Sequence, residues 1–301
     1  DPILKPFIAW DIKTERSGDV NGELVYKSTN FSWSTVYRLV MNGQSNGELI
    51  AEAIISNGSD LDYRNTQVQL VEGNLNKPKM IRHRPDHAMS MAARTESKPA
   101  MEQSELGDYH IYSMKSKHDL QAKENITVRM YGPLTVGYIK TYVFENSERR
   151  QKEEPLKVEL EIKNTESNGL GIPLPAGKVE MYTNSNTGGL EFIGADRIGQ
   201  VPKGQSSKLL SGYAFDIIGK RKVLNYDRQR KSEEAVIEVQ VSNSRSEPVR
   251  VRIVEHINGD WVVKNESHDY QKKDASTIHF SIILDPGKTK YVTYTYRKEW
   301  K

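Results

Sequence analysis

The sequence predicts an all-β protein, built as two linked antiparallel β-sandwich-like domains with one long irregular loop in the first. Three observations carry that expectation. Apolar and polar residues alternate with period two far more often than with a helical period. Turn signals punctuate the alternating runs, at Asn21-Gly22, Asn42-Gly43, Asn46-Gly47, Asn57-Gly58, Asn258-Gly259 and Asp285-Pro286-Gly287. Short strands set off at that spacing suit sandwiches rather than parallel βαβ units.

The clearest strand is Ala235–Val241, with Ile237, Val239 and Val241 on one face and Glu238 and Gln240 on the other. Leu156–Lys163, Thr277–Leu284 and the tyrosine-rich Tyr291–Tyr296 repeat the pattern. Weaker alternation predicts further strands at 23–30, 35–41, 47–56, 66–71, 107–113, 125–131, 135–144, 177–183, 189–193, 207–212, 222–228, 249–257 and 261–264. Residues 74–106 break the pattern, with prolines at 78, 85 and 99, and predict a long loop with one helical turn over Asp86–Ala93. The charged run Glu145–Pro155 has linker composition, which divides the chain into domains 1–150 and 151–301. The run Asn168–Gly177, rich in Gly and Pro, fixes backbone angles and offers no ionisable side chain from Gly169 to Gly177. It predicts a rigid crossover between strands early in the second sandwich.

Composition narrows the function classes. With 301 residues the chain can bury two cores without disulfides or metals. Its 43 basic and 40 acidic residues are mixed along the sequence and leave a net charge of +3, so no phosphate-binding field and no nucleic-acid partner are expected. The absence of cysteine excludes thiolate chemistry and Cys-ligated zinc. No apolar run approaches the ~20 residues of a membrane span. A first residue of Asp1 fits a chain from which a signal peptide has been cut, or a trimmed one.

Motifs with chemical potential are few. His83, His87, Met89 and Met91 fall within nine residues, and imidazole with thioether suits Cu(I). Pro85 and Pro-adjacent geometry keep one regular helix from presenting both histidines, so the methionines are read as loop anchors and no cofactor is expected. Glu255 and His256 resemble a general-base pair, but successive strand residues face opposite ways, and with Trp261 beneath they read as a hairpin. No nucleophile elbow, phosphate loop or dinucleotide fingerprint occurs. A glycoside hydrolase needs only two carboxylates, which 40 acidic residues leave open as the alternative to a binding protein. Sequons at Asn30, Asn57, Asn125 and Asn265 match chance for this composition. Tyr291, Tyr294 and Tyr296 are either stacking platforms or core rings with rim hydroxyls.

From Leu156 to Arg297 the chain resembles the DUF4139 domain-containing family, some members of which carry a mucoidy-inhibitor A label. The runs that carry the resemblance are Asn164–Val179, Phe192–Ile198 with Pro202-Lys203, Gly212–Arg221, Glu247–His256, Gly259–Trp261 and Pro286-Gly287. In the first half Tyr26, Asn30–Trp33 and Tyr37 carry it more thinly. Many members of that family carry a further N-terminal domain with a long coiled coil, and no heptad run is visible in this sequence. The resemblance implies linked β-sandwiches, export from the cytoplasm and no established catalytic residue. Within the matching runs Asp196, Arg197, Asp216 and Arg221 are charged residues flanked by apolar ones. Such placement suits either a polar recognition site or, as preferred here, partly buried Arg–carboxylate ties. The expectation is a non-catalytic binding or assembly protein outside the cytoplasm, engaging a protein or polysaccharide of the cell envelope.

Overall fold

A computed structural model of the chain describes residues 11, 13–15, 17–19, 21–72, 101–106, 109–185 and 188–300. The described residues form strands, one short 3₁₀ turn at Glu166–Asn168 and no α-helix. None of their helices is long and apolar enough to cross a membrane. The first strands are β1 (Phe31–Asn42), β2 (Asn46–Asn57), β3 (Tyr63–Thr66), β4 (Gln69–Glu72), β5 (Met101–Leu106), β6 (Tyr109–Met114), β7 (His118–Leu120) and β8 (Glu124–Gly137). Next come β9 (Ile139–Ser147), β10 (Lys152–Lys163), β11 (Gly177–Asn184), β12 (Leu190–Ile198), β13 (Ser206–Arg228) and β14 (Ser232–Asn243). The chain ends with β15 (Val249–His256), β16 (Trp261–Lys264), β17 (Tyr270–Lys272), β18 (Thr277–Leu284) and β19 (Thr289–Glu299).

Two sheets dominate. The smaller has the order β12-β11-β1-β2-β8 and the larger β16-β19-β14-β13-β10-β9-β15-β18-β17. A three-stranded sheet, β4-β6-β5, and the pair β3-β7 cover the smaller one. Most pairings are antiparallel, but β1 with β11 and β9 with β15 are parallel. The nine-stranded sheet curls over its own core, so that Phe280 of β18 meets Tyr294 of β19 at 5.4 Å between ring centroids. Period-two burial explains that core: Ile237, Val239 and Val241 of β14 point in, as do Ile278, Phe280, Ile282 and Leu284 of β18. Each such side chain contributes roughly 1.5–3 kcal/mol on leaving water.

The two apolar cores do not divide at residue 150. Glu145–Pro155 is the hairpin between β9 and β10 rather than a linker, with Lys157 paired to Val143. Strand β10 serves both cores: Leu156 and Val158 lie in that of the large sheet, Leu160 and Ile162 in that of the small one. The small-sheet core also takes Leu170, Leu174, Val179 and Met181 from beyond residue 150.

The crossover at 168–177 is where the chain changes sheets, and it leads back to the first sheet instead of into the second. Gly169 and Gly171 sit at φ 75° and 83°, conformations that favour glycine, and a Cβ on Gly169 would lie 2.0 Å from the Thr135 carbonyl. Buried Asn164 organises the loop. Its amide donates to the Ile172, Val201 and Pro202 carbonyls at 2.7–3.1 Å, and its Oδ1 accepts from Gly171 N–H at 2.9 Å. Asn57 at the end of β2 and Asn243 at the end of β14 do the same, each donating to three loop carbonyls. A short polar side chain thus pairs carbonyls that the ends of strands leave unsatisfied.

Three details differ from the sequence expectation. Residues 23–30 form no strand, Met101–Leu106 is a strand where irregular chain is expected, and the runs 207–212 and 222–228 belong to one 23-residue strand, β13. The turn expected over Asp86–Ala93 lies outside the described residues.

Candidate functional site at the junction of the two sheets

The long strand β13 is irregular where it passes from the small-sheet core to the large-sheet core. Its pairing with β10 steps from Leu210↔Glu159 to Gly212↔Val158, leaving out Ser211, and then from Ala214↔Leu156 to Ile218↔Pro155, leaving out three residues. Bulges of this kind twist a strand and re-aim its side chains. Here they turn Tyr213 and Phe215 outward, at 63% and 89% exposure. Gly212 takes φ 138° within the same stretch.

These rings stand over a cavity of about 240 Å³ whose wall is residues 211–216 and whose far side is Ile193 of β12. Lys140 and Tyr142 of β9 line this cavity and also a second, of about 320 Å³, between the β1–β2 turn and the start of β15. The Tyr142 hydroxyl takes a hydrogen bond from Arg245, and Arg245 lies 3.7 Å from Glu247. Burial, then the charge of Arg245, holds the Lys140 ammonium below the usual lysine range, while Glu247 opposes the shift. Burial likewise raises the Tyr142 phenol. Together the two cavities present one carboxylate, Asp216. A retaining or inverting glycosidase requires two facing each other.

The four residues singled out in the sequence are not brought together. Asp196 of β12 bridges the sheets, with Oδ2 accepting from Leu210 N–H at 2.7 Å and Oδ1 from Arg197 N–H at 2.8 Å. Its partners are therefore backbone amides and not an arginine. Arg197 is exposed, with no side-chain partner among the described residues. Asp216 is exposed at the mouth of the smaller cavity. Only Arg221 makes a buried ion pair, and its partner is Glu255 of β15 rather than a neighbouring aspartate.

That pair lies in the core of the large sheet. Arg221 Nε and Nη2 reach Glu255 Oε2 at 2.9 and 2.8 Å, and Nη1 donates to the Arg150 carbonyl at 2.9 Å. Tyr294 Oη donates to Glu255 Oε2 at 2.5 Å, and the Asn146 amide donates to Glu255 Oε1 at 2.9 Å. Burial alone would lower the Arg221 pKa, but the adjoining carboxylate and phenol outweigh it and hold the group above its ordinary value. Glu255 and Arg221 are both sealed from solvent, so neither can act on a ligand. His256 faces the opposite side, 3.0 Å from Glu145 and 3.2 Å from Thr277, so it does not join Glu255. Tyr294 and Tyr296 are core rings, Tyr291 is half exposed, and Trp261 packs beneath the hairpin with its indole N–H on the Ala275 carbonyl.

His83, His87, Met89 and Met91 lie outside the described residues. Among the described residues no group of three potential metal ligands converges. Sequence reasoning missed Lys140, Tyr142, Tyr213, Phe215, Arg245 and Arg250 as site residues. One signal was present: Gly212 interrupts an alternating run, which marks a bulge. No family model matches the sequence, and no significant match is found among curated proteins or solved structures.

Proposed function

We propose that the protein is a non-catalytic binding or assembly module of the cell envelope, and that it engages a protein or surface glycan through the junction of its two sheets. The observation that supports this reading is the outward presentation of Tyr213 and Phe215 by a bulged strand beside two cavities. Exposed aromatic rings next to cationic side chains are the composition of recognition surfaces, where a few rigid anchors supply most of the binding energy. The placement outside the cytoplasm rests on the resemblance of residues 156–297 to a family whose members are often predicted to be exported.

A photoreactive phenylalanine analogue at position 215 tests the reading in an envelope fraction of the source cell, with the same analogue at exposed position 262 on edge strand β16 as control. One envelope component is expected to couple at 215 and not at 262. Equal coupling at both positions, or none at 215, would overturn the proposal. Release of reducing sugar ends from the fraction by the unmodified protein would replace it with a hydrolase.

A further inference from the structure

We propose that the junction binds an extended protein segment in which a carboxylate sits beside a large apolar side chain, the carboxylate entering the cavity of Lys140 and Arg250 and the side chain the cavity under Phe215. The inference rests on the junction being the binding site and deepens it, because it selects a protein over a glycan.

Three observations converge. The first is a cationic cavity with no carboxylate in its wall. The 320 Å³ space is lined by Lys140, Arg250 and the polar Gln44 and Ser45, and no carboxylate lines it. Neither the Lys140 ammonium nor the Arg250 guanidinium has a hydrogen-bond or ion-pair partner among the described residues, and Lys140 Nζ lies over the Tyr142 ring, 5.5 Å from its centroid. Glu247 is held by Gln44 and Arg245 and does not enter. A half-buried ammonium without an acceptor is costly, and a carboxylate at about 2.7–2.9 Å removes the cost with a charge-assisted bond.

The second is the character of the adjoining cavity. It is mixed: Met41, Val158, Ile193, Ala214 and Phe215 form an apolar part beside Lys140, Asp216 and Arg245. An aliphatic or aromatic side chain of the ligand buries against the apolar part and the exposed Phe215 ring. The shared wall of Lys140 and Tyr142 sets the acidic and apolar groups of the ligand next to each other.

The third is the strand edge that forms the wall of the smaller pocket. β14 begins to pair with β13 only at Ile217, and Gly194 of β12 lies against the Ser211 carbonyl, so residues 212–216 have no paired strand on that side. The edge is closed off at its two ends, by Asp196 on the Leu210 N–H and by Ser244 N–H on the Asp216 carbonyl. An extended peptide lying there gains main-chain hydrogen bonds while its side chains fill the pockets.

Titration calorimetry on the whole chain tests this with blocked hexapeptides of Val and Thr that carry a central Glu–Phe pair, in both orders. Counterparts replace the Glu by Gln or the Phe by Ala, one peptide ends in Phe with a free carboxylate, and trigalacturonate serves as the glycan. A Glu–Phe peptide is expected to bind at least about tenfold more tightly than its Gln and Ala counterparts. Lys140→Gln should erase the preference for Glu over Gln, and Arg250→Gln should weaken it, with the melting temperature unchanged in both variants. Tighter binding of the free-carboxylate peptide than of the blocked ones would assign the carboxylate to a chain terminus, and the reverse to an acidic side chain. Equal binding of the Glu and Gln peptides, no effect of Lys140→Gln, or binding of trigalacturonate but of no peptide would overturn the inference. If coupling at position 215 survives such a result, only the ligand class falls; if coupling fails too, the junction site falls with it.

Discussion

Arg221 and Lys140 lie on neighbouring parts of the same nine-stranded sheet and are treated in opposite ways. Arg221 is fully enclosed and saturated, with a carboxylate, a phenol and a carbonyl around its guanidinium. Lys140 is half buried between two cavities with an aromatic ring beside it and no acceptor. A charge withdrawn from water is tolerated when its partners are in place, and one left without them marks a position where fold stability is not the governing requirement. The difference separates what holds this molecule together from what it offers to a ligand.

The largest effect should come from breaking the saturated side of that comparison. Glu255→Ala leaves an enclosed guanidinium without its counter-charge and should cost roughly 3–5 kcal/mol in denaturant unfolding. The double replacement Arg221→Met with Glu255→Leu should cost clearly less, since no buried charge remains; equal losses would mean that packing, and not charge, sets the penalty. Asn164→Ala comes next. It strips three buried or partly buried carbonyls and the Gly171 N–H of their partner and should destabilise by about 1–3 kcal/mol, seen in the same measurement.

Lys140→Gln sharpens the other side, and its sign is opposite. Because the folded-state pKa lies below the ordinary 10.5, the unfolded chain binds the proton more tightly, so the charged lysine subtracts stability at neutral pH. The variant should therefore be at least as stable as the wild type at pH 7. The wild type should then gain on the variant as pH rises through the lowered value toward 10.5, which melts taken across alkaline pH would register. Asp216→Ala should have the smallest effect, within about 0.5 kcal/mol, since the carboxylate is exposed and has no hydrogen-bond or ion-pair partner among the described residues.

Local pattern made much of the fold legible. Strands such as β14 and β18 bury alternate residues of one parity, so their faces could be read directly from Ala235–Val241 and Thr277–Leu284. What stayed hidden was set by long-range pairing. Nothing in Gly177–Asn184 states that it lies parallel to β1, 138 residues from Tyr37 to the Pro175 carbonyl that its hydroxyl binds. The hairpin at Glu145–Pro155 reads as linker because its charges pair across strands, as Lys157 does with Glu145 at 2.8 Å. In the same way Arg221 could be picked out as a buried tie from its apolar neighbours, but its partner, Glu255, is 34 residues away and reads in sequence as part of a hairpin with His256. The junction was the least legible part. Phe215 looks like a core residue in sequence and is exposed because bulges rotate it, and Lys140 looks like an ordinary solvent-facing lysine.

The claim that the junction is a binding site distinct from the stabilising framework is tested most directly by one paired measurement. The wild type and the double variant Tyr213→Ala with Phe215→Ala are melted and passed over immobilised envelope fraction in parallel. The account predicts melting temperatures that agree within a few degrees and retention lost in the variant. A clearly lowered melting temperature with retention intact would contradict it, and would make these exposed rings part of the scaffold.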